Sequence, residues 1–304
     1  MLHWRLLLGT ILIAVLAGAC WVDDQAATPG VWLFPLAIVF ATLAAGEMVT
    51  LLRACHLRPS PWVIYLGVLL VTAAPGVPMF WPNYPADCPV SRLGWPILGL
   101  ALGLLLAVIN QIWRYEAPGS VILNLAASVF AMVYVGVLLS FVIQLRAIGT
   151  TTPDGNSRWG MVALVSLIAV VKIGDIGAYT VGRLWGRHKM APAVSPGKTW
   201  EGLAGGLVLS CVASYLTLGV LAPALDLETA DRTRPWLGWI AYGLAVGAAG
   251  VLGDLAESLL KRAALCKDSG DSLPGFGGVL DVLDSILGAA PVAYFFWVLR
   301  VVGP

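Results

Sequence analysis

Apolar residues run along this chain in long blocks, separated by short polar clusters rich in proline and glycine. A helix needs about 20 predominantly apolar residues to cross a bilayer. The blocks predict about nine such helices, over 4–22, 31–52, 61–80, 94–113, 120–146, 159–183, 203–222, 236–260 and 281–302. Breaks come from turn residues such as Pro29-Gly30, Pro59-Ser60-Pro61, Pro118-Gly119 and Pro153-Asp154-Gly155. Inside lipid only helices and closed barrels bond all of their backbone groups, and these runs are too long and uniformly apolar for barrel strands. The expected fold is therefore all-α, a polytopic membrane protein. Glycine and alanine within the runs, as at Ala44-Ala45-Gly46 and at Gly243 and Gly247, allow helices to approach closely.

Composition agrees with the pattern. Of 304 residues, 59% are hydrophobic and 12% charged, against about 25% charged in soluble domains. A net charge of +1 names no partner, and nothing points to nucleic acid. The five cysteines form no CxxC pair and read as small packing residues. Arg5, an apolar run and the small residues up to Cys20 resemble a signal peptide or lipoprotein site. However, Ala17 stands where a lipobox wants leucine, and many apolar runs follow, so a first membrane helix is expected. With the N-terminus inside, Lys and Arg concentrate in the inside loops, mostly in 183–202 and 261–280.

The two halves differ. Residues 1–150 hold few ionisable groups and read as lipid-facing or scaffold helices. Residues 151–304 carry Lys172, Asp175, Asp254, Glu257, Asp281 and Asp284 within or beside apolar helices. Charge at membrane depth is costly and points to function. Glu47 is the exception in the first half, and a position near a helix end beside Arg53 explains it equally well.

Asp254, Glu257, Ser258 and Lys261 are spaced i, i+3, i+4 and i+7, on one helix face. An amphipathic helix end has the same appearance. The following loop, Lys267-Asp268-Ser269-Gly270 to Gly277-Gly278, is polar and glycine-rich, so backbone amides could approach phosphate closely. Asp281 and Asp284 then open the last helix on one face; an N-cap role could use one of them but not easily both. Oxygen-only ligands suit Mg²⁺ rather than zinc. The other loop is basic and contains Ser195-Pro196-Gly197-Lys198-Thr199 before a helix. It is not a P-loop, because Pro192 occupies the position of the earlier glycine and no strand is expected before it. A lysine, a hydroxyl and a helix N-terminus still favour an anion.

These residues together resemble the phosphatidate cytidylyltransferase (CDP-diacylglycerol synthase) family. The resemblance rests on Asp175-Ile176-Gly177-Ala178-Tyr179, Gly182-Arg183 and Ser195 to Gly202. It rests further on Ser258, Lys261-Arg262, Lys267-Asp268, Pro274, Gly277-Gly278, Asp281 and Asp284, over roughly the last 130 residues. Two positions depart from the family pattern: Phe276 replaces a histidine and Val282 an arginine. The loop is expected to tolerate Phe276, because the attacking phosphate is already anionic and needs no strong base.

The resemblance implies transfer of CMP from CTP to phosphatidate, with release of pyrophosphate, at a cytoplasm-facing site in a bacterial inner membrane. It implies Mg²⁺ held by Asp254, Asp281 and Asp284. Lys198, Ser258, Lys261, Arg262, Lys267 and Asp268 are the expected catalytic residues. Ser195, Lys198, Thr199, Gly277 and Gly278 are expected around the nucleotide. A homodimer is the implied assembly. The alternatives are a CTP-dependent lipid kinase, a cytidylyltransferase for another lipid phosphate, and an ion-coupled transporter; concentration of charge in one half argues against the last.

Overall fold

The computed structural model describes residues 2–81, 84–85, 87–115, 119–151, 156–227, 234–270, 272 and 277–303. The chain divides into two compact units, Met1–Ile143 with Leu260–Val282, and Gln144–Leu259 with Leu283–Pro304. The breaks read at Pro118 and Pro153-Asp154-Gly155, and Pro274 and Phe276 of the second loop, lie outside the described residues.

The first unit holds α1 (Leu2–Asp24), α2 (Leu33–Ala54), α3 (Pro61–Ala73), α4 (Gly76–Phe80), α5 (Ser91–Trp113) and most of α6 (Val121–Ala147). Helix α3 packs against α2, α5 and α6, and Val63, Ile64, Val68 and Val71 are essentially inaccessible. Lipid tails are as apolar as leucine, so close van der Waals packing must hold such helices together. Glycines permit it: a side chain on Gly99 would strike the Leu70 backbone, and one on Gly67 would strike Met132. At the corner before α2, fully buried Asp23 accepts hydrogen bonds from the Gly30, Trp32 and Leu33 amides. It thereby satisfies donors that a helix start leaves open.

The second unit holds the end of α6, α7 (Arg158–Trp185), the strands β1 (Lys189–Ala191) and β2 (Ser195–Thr199), and α8 (Trp200–Ala224). It also holds α9 (Pro235–Ala263) as far as Leu259 and α10 (Val279–Val298) from Leu283. Helices α7 and α8 lie against each other along small residues: Gly174 faces Ser210, and Gly177 faces the Gly205 carbonyl. Ser210 donates to the Val170 carbonyl at 3.1 Å, so its hydroxyl is satisfied inside the packing. Helices α9 and α10 meet at Gly253 and Gly288, where an added Cβ on Gly253 would stand 3.0 Å from the Gly288 Cα.

Among the described residues seven helices, α2 and α5 to α10, are long and apolar enough to cross a membrane. The chain is thus an all-α integral membrane protein, with one short two-stranded hairpin among the described residues. The expected count of about nine spans is not confirmed among them. The 61–80 stretch is two short helices, α3 and α4, with Pro75 between them. Proline has no amide hydrogen and clashes with the preceding turn. Helix α1 is continuous over 23 residues.

Candidate active site

In the second unit the basic loop folds as a hairpin. The Ser195–Thr199 segment, read from sequence as a turn, is a strand paired antiparallel with Lys189–Ala191. Thr199 ends it and caps α8, its hydroxyl accepting from the Gly202 amide at 3.1 Å. Glu201, in the first turn of α8, accepts from the amides of Arg187 and His188 and lies 2.5 Å from His188 Nδ1. The base of the hairpin is therefore tied to the helix start, where a carboxylate is favoured.

The hairpin delivers Lys198 to α9. Its ammonium lies 2.8 Å from Asp254 Oδ2 and donates to the Val251 carbonyl at 3.3 Å. Ser258, one turn further along α9, donates to Asp254 Oδ1 at 3.3 Å. Asp254 follows Gly253, where α9 meets α10, and that contact brings Asp284 within electrostatic reach of Asp254 and Lys172. Asp284 Oδ1 accepts from both the amide and the hydroxyl of Ser285.

One residue absent from the expected site joins this cluster. Asp175 on α7 pairs with Lys172 at 3.7 Å and interacts electrostatically with Asp254 and Lys198. The sequence signals were their i, i+3 spacing and their place inside an apolar helix; the position of Asp175 opposite Asp254 was not readable. Glu257 is fully buried one turn beyond Asp254. Two ion pairs, Lys172–Asp175 and Lys198–Asp254, and the carboxylate of Asp284 thus lie within electrostatic reach of one another. An excess of carboxylate oxygen in apolar surroundings suits a hard cation such as Mg²⁺, which binds through one or two carboxylates together with substrate phosphates. Among the described residues no three or more His, Cys, Asp or Glu side chains are gathered as a metal cage.

The first unit contains the other motif residues. Lys261 donates to Asp281 Oδ1 at 2.5 Å. Asp281 Oδ2 accepts from the Ser269 amide at 2.9 Å, the Ser269 hydroxyl at 2.8 Å and the Gly278 amide at 2.8 Å. Asp281 is the third residue of α10 and Gly278 immediately precedes that helix, so Asp281 makes the backward half of a capping box, the half that reaches from N3 to the N-cap amide. Neither aspartate stands at the N-cap, which is Gly278; of the two, Asp281 is the one that serves an open amide of the helix start. Gly277 has φ +94°, a region that favours glycine, and the space a side chain would fill there holds Asp281 Oδ2. Arg262 donates to the Cys266 carbonyl at 3.4 Å, while Lys267 and Asp268 are exposed in the loop.

The profile of the cytidylyltransferase family matches residues 3–300. A phosphatidate cytidylyltransferase of Mycobacterium bovis is 31% identical over 301 residues, covering 94% of this chain and 84% of that protein. One of Bacillus subtilis is 30% identical over 266 residues, covering 87% of this chain and 89% of that protein. One of Haemophilus influenzae is 40% identical over 138 residues, covering 45% of this chain and 46% of that protein. The match runs through both units, so the N-terminal helices share in a similarity that the motifs alone confined to the C-terminal half, and the chain belongs to the cytidylyltransferase family.

Proposed function

We propose that this protein is a phosphatidate cytidylyltransferase, which joins CTP and phosphatidate into CDP-diacylglycerol and releases pyrophosphate. The observation that carries this reading is the Lys198–Asp254 pair beside Asp284 and Asp175, in a family whose relatives bear that name. In the reaction a phosphate oxygen of phosphatidate attacks the α-phosphorus of CTP. The bond to the bridging oxygen breaks, and that oxygen leaves with pyrophosphate.

The nucleophile arrives as an anion near neutral pH, so the difficulty is repulsion between two polyanions, not proton removal. Bound Mg²⁺ would supply neutralisation of the phosphate oxygens, as in other phosphoryl transfers; in the second unit Asp254 and Asp284 are the residues that would hold it, and the family resemblance assigns the same role to Asp281. Lys198 is a second neutralising charge: phosphate can replace Asp254 as its partner without the lysine being desolvated again. Lys261, Arg262 and Lys267 lie next to or within the second loop and supply further positive charge. Ser195, Thr199 and Ser258 orient groups by hydrogen bonding. Electrostatic stabilisation of this kind is usually the largest contribution to catalysis.

The reading places the site on the cytoplasmic face of a bacterial inner membrane, where CTP is available. Two spans, α8 and α9, separate the 183–202 loop from the 261–280 loop, so both loops emerge on the same side. Single cysteines introduced at Lys198 and Ser272 in a cysteine-free background are expected to react with an impermeant maleimide only from the cytoplasmic side. Labelling from opposite sides would contradict the topology.

The decisive assay gives purified protein labelled CTP, phosphatidate and Mg²⁺ and identifies the lipid product. A CDP-lipid with pyrophosphate is the expected result. A phosphorylated lipid with CDP would make the protein a CTP-dependent lipid kinase instead.

A further inference from the structure

Glu47 lies on α2, more than 220 residues before the start of α10, yet its carboxylate is bound into that start. Oε1 accepts from the Val279 amide at 2.8 Å. Oε2 accepts from the Leu280 amide at 2.8 Å and from the Ser269 hydroxyl at 3.0 Å. The residue is 5% exposed. A buried carboxylate is strongly unfavourable unless donors satisfy it, and here three donors and the positive end of a helix do so. Glycine makes the approach possible from both sides: a side chain on Gly270 would meet the Glu47 side chain, and one on Gly278 would meet both its carboxylate and Ser269.

The same hydroxyl joins Glu47 to Asp281. Ser269 Oγ lies 3.0 Å from Glu47 Oε2 and 2.8 Å from Asp281 Oδ2. It carries one hydrogen, so the two carboxylates share it. Lys261 holds the other oxygen of Asp281. Two carboxylates thus serve the first amides of α10, Asp281 taking Gly278 and Glu47 taking the next two.

We propose that Glu47 is a positioning residue for the transfer reaction, acting through Ser269 and the start of α10 to set the orientation of Asp281. The proposal rests on the functional reading above, in which Asp281 serves the phosphate site. Both carboxylate oxygens accept, so Glu47→Gln necessarily turns an NH₂ group towards a donor while keeping the side-chain shape. Ser269→Ala removes only the shared hydroxyl.

The test uses the full-length protein in detergent. It measures kcat and KM for CTP, thermal melting, and amide hydrogen exchange of the segment 277–283. Glu47→Gln is expected to lower kcat at least thirtyfold, with KM for CTP changed less than threefold, cooperative melting retained and exchange in 277–283 accelerated. Ser269→Ala is expected to lower kcat about tenfold, and the double variant to be no slower than Glu47→Gln, because both act along one path. The proposal is overturned by a kcat within threefold of wild type in Glu47→Gln, by a loss confined to KM, or by independent, multiplying effects of the two substitutions. If Glu47→Gln does not fold, Ser269→Ala decides alone: a tenfold loss of kcat at unchanged melting supports the proposal, and a kcat within threefold of wild type overturns it. A wild-type protein that makes no CDP-lipid overturns the functional reading instead, whereas unchanged exchange in Glu47→Gln overturns the placement of Glu47 whatever the reaction.

Discussion

Replacing Asp254 by Asn is expected to lower turnover at least a hundredfold, about 2.7 kcal/mol of barrier, with little change in stability. The substitution keeps the size of the side chain and an oxygen for Ser258. It removes the charge that faces Lys198 at 2.8 Å and one of the three carboxylates grouped with Lys172 and Lys198. A cation then loses a ligand, and Lys198 loses the partner that holds it in place beside α9. The Asp254 side chain is 34% exposed, so the ion pair itself adds at most about 1 kcal/mol to folding. Melting in detergent is expected to shift by less than about 4 °C. Steady-state turnover beside a melting curve checks both parts. A variant retaining more than a tenth of wild-type turnover would show that Asp254 holds neither the metal nor the phosphate-binding lysine.

Removal of divalent metal is expected to have the largest effect of all. Excess EDTA should reduce CDP-lipid formation to background, and Mg²⁺ added beyond the chelator should restore it. The reason is the charge balance of the substrates. CTP and phosphatidate together bring several negative charges to a cluster that already holds more carboxylate than ammonium. Lys198 and the neighbouring basic residues cannot offset that excess alone. The same experiment run with ATP, GTP and UTP should give product with CTP only. Full turnover in EDTA, or equal use of the four nucleotides, would sink the cytidylyl-transfer reading.

The expected helices were legible because lipid imposes a strong and local rule. A span must be apolar over about 20 residues, and its backbone bonds within itself. Helices α2 and α5 to α10 therefore fall close to the blocks read from the sequence. The 61–80 block misled because mean hydropathy does not register one breaker, and Pro75-Gly76 splits it into α3 and α4. The hairpin at Lys189–Thr199 was missed for the opposite reason: its strands are short, and Pro196 and Gly197 are turn residues by propensity.

Within the candidate site, spacing along one helix was readable, and contacts between distant segments were not. Asp254 and Ser258 at i, i+4 do meet, as the helical period predicts. Residue identity and order also sufficed for the family resemblance. No local pattern told that Lys198 pairs with Asp254, that Asp175 joins them, or which of Asp281 and Asp284 serves an open amide at the start of α10. Gly277 and Gly278, read as room for phosphate, stand where Asp281 and Glu47 need space. Glu47 is the clearest case. The sequence shows a lone carboxylate in an apolar helix, equally well explained by a nearby Arg53. Only the tertiary structure supplies its partners, Ser269, Val279 and Leu280, over 220 residues away. Hydropathy is a sum over neighbours in the chain and so is present in the sequence, whereas a buried charge is stable only where donors converge on it in space, and that convergence is a property of the fold.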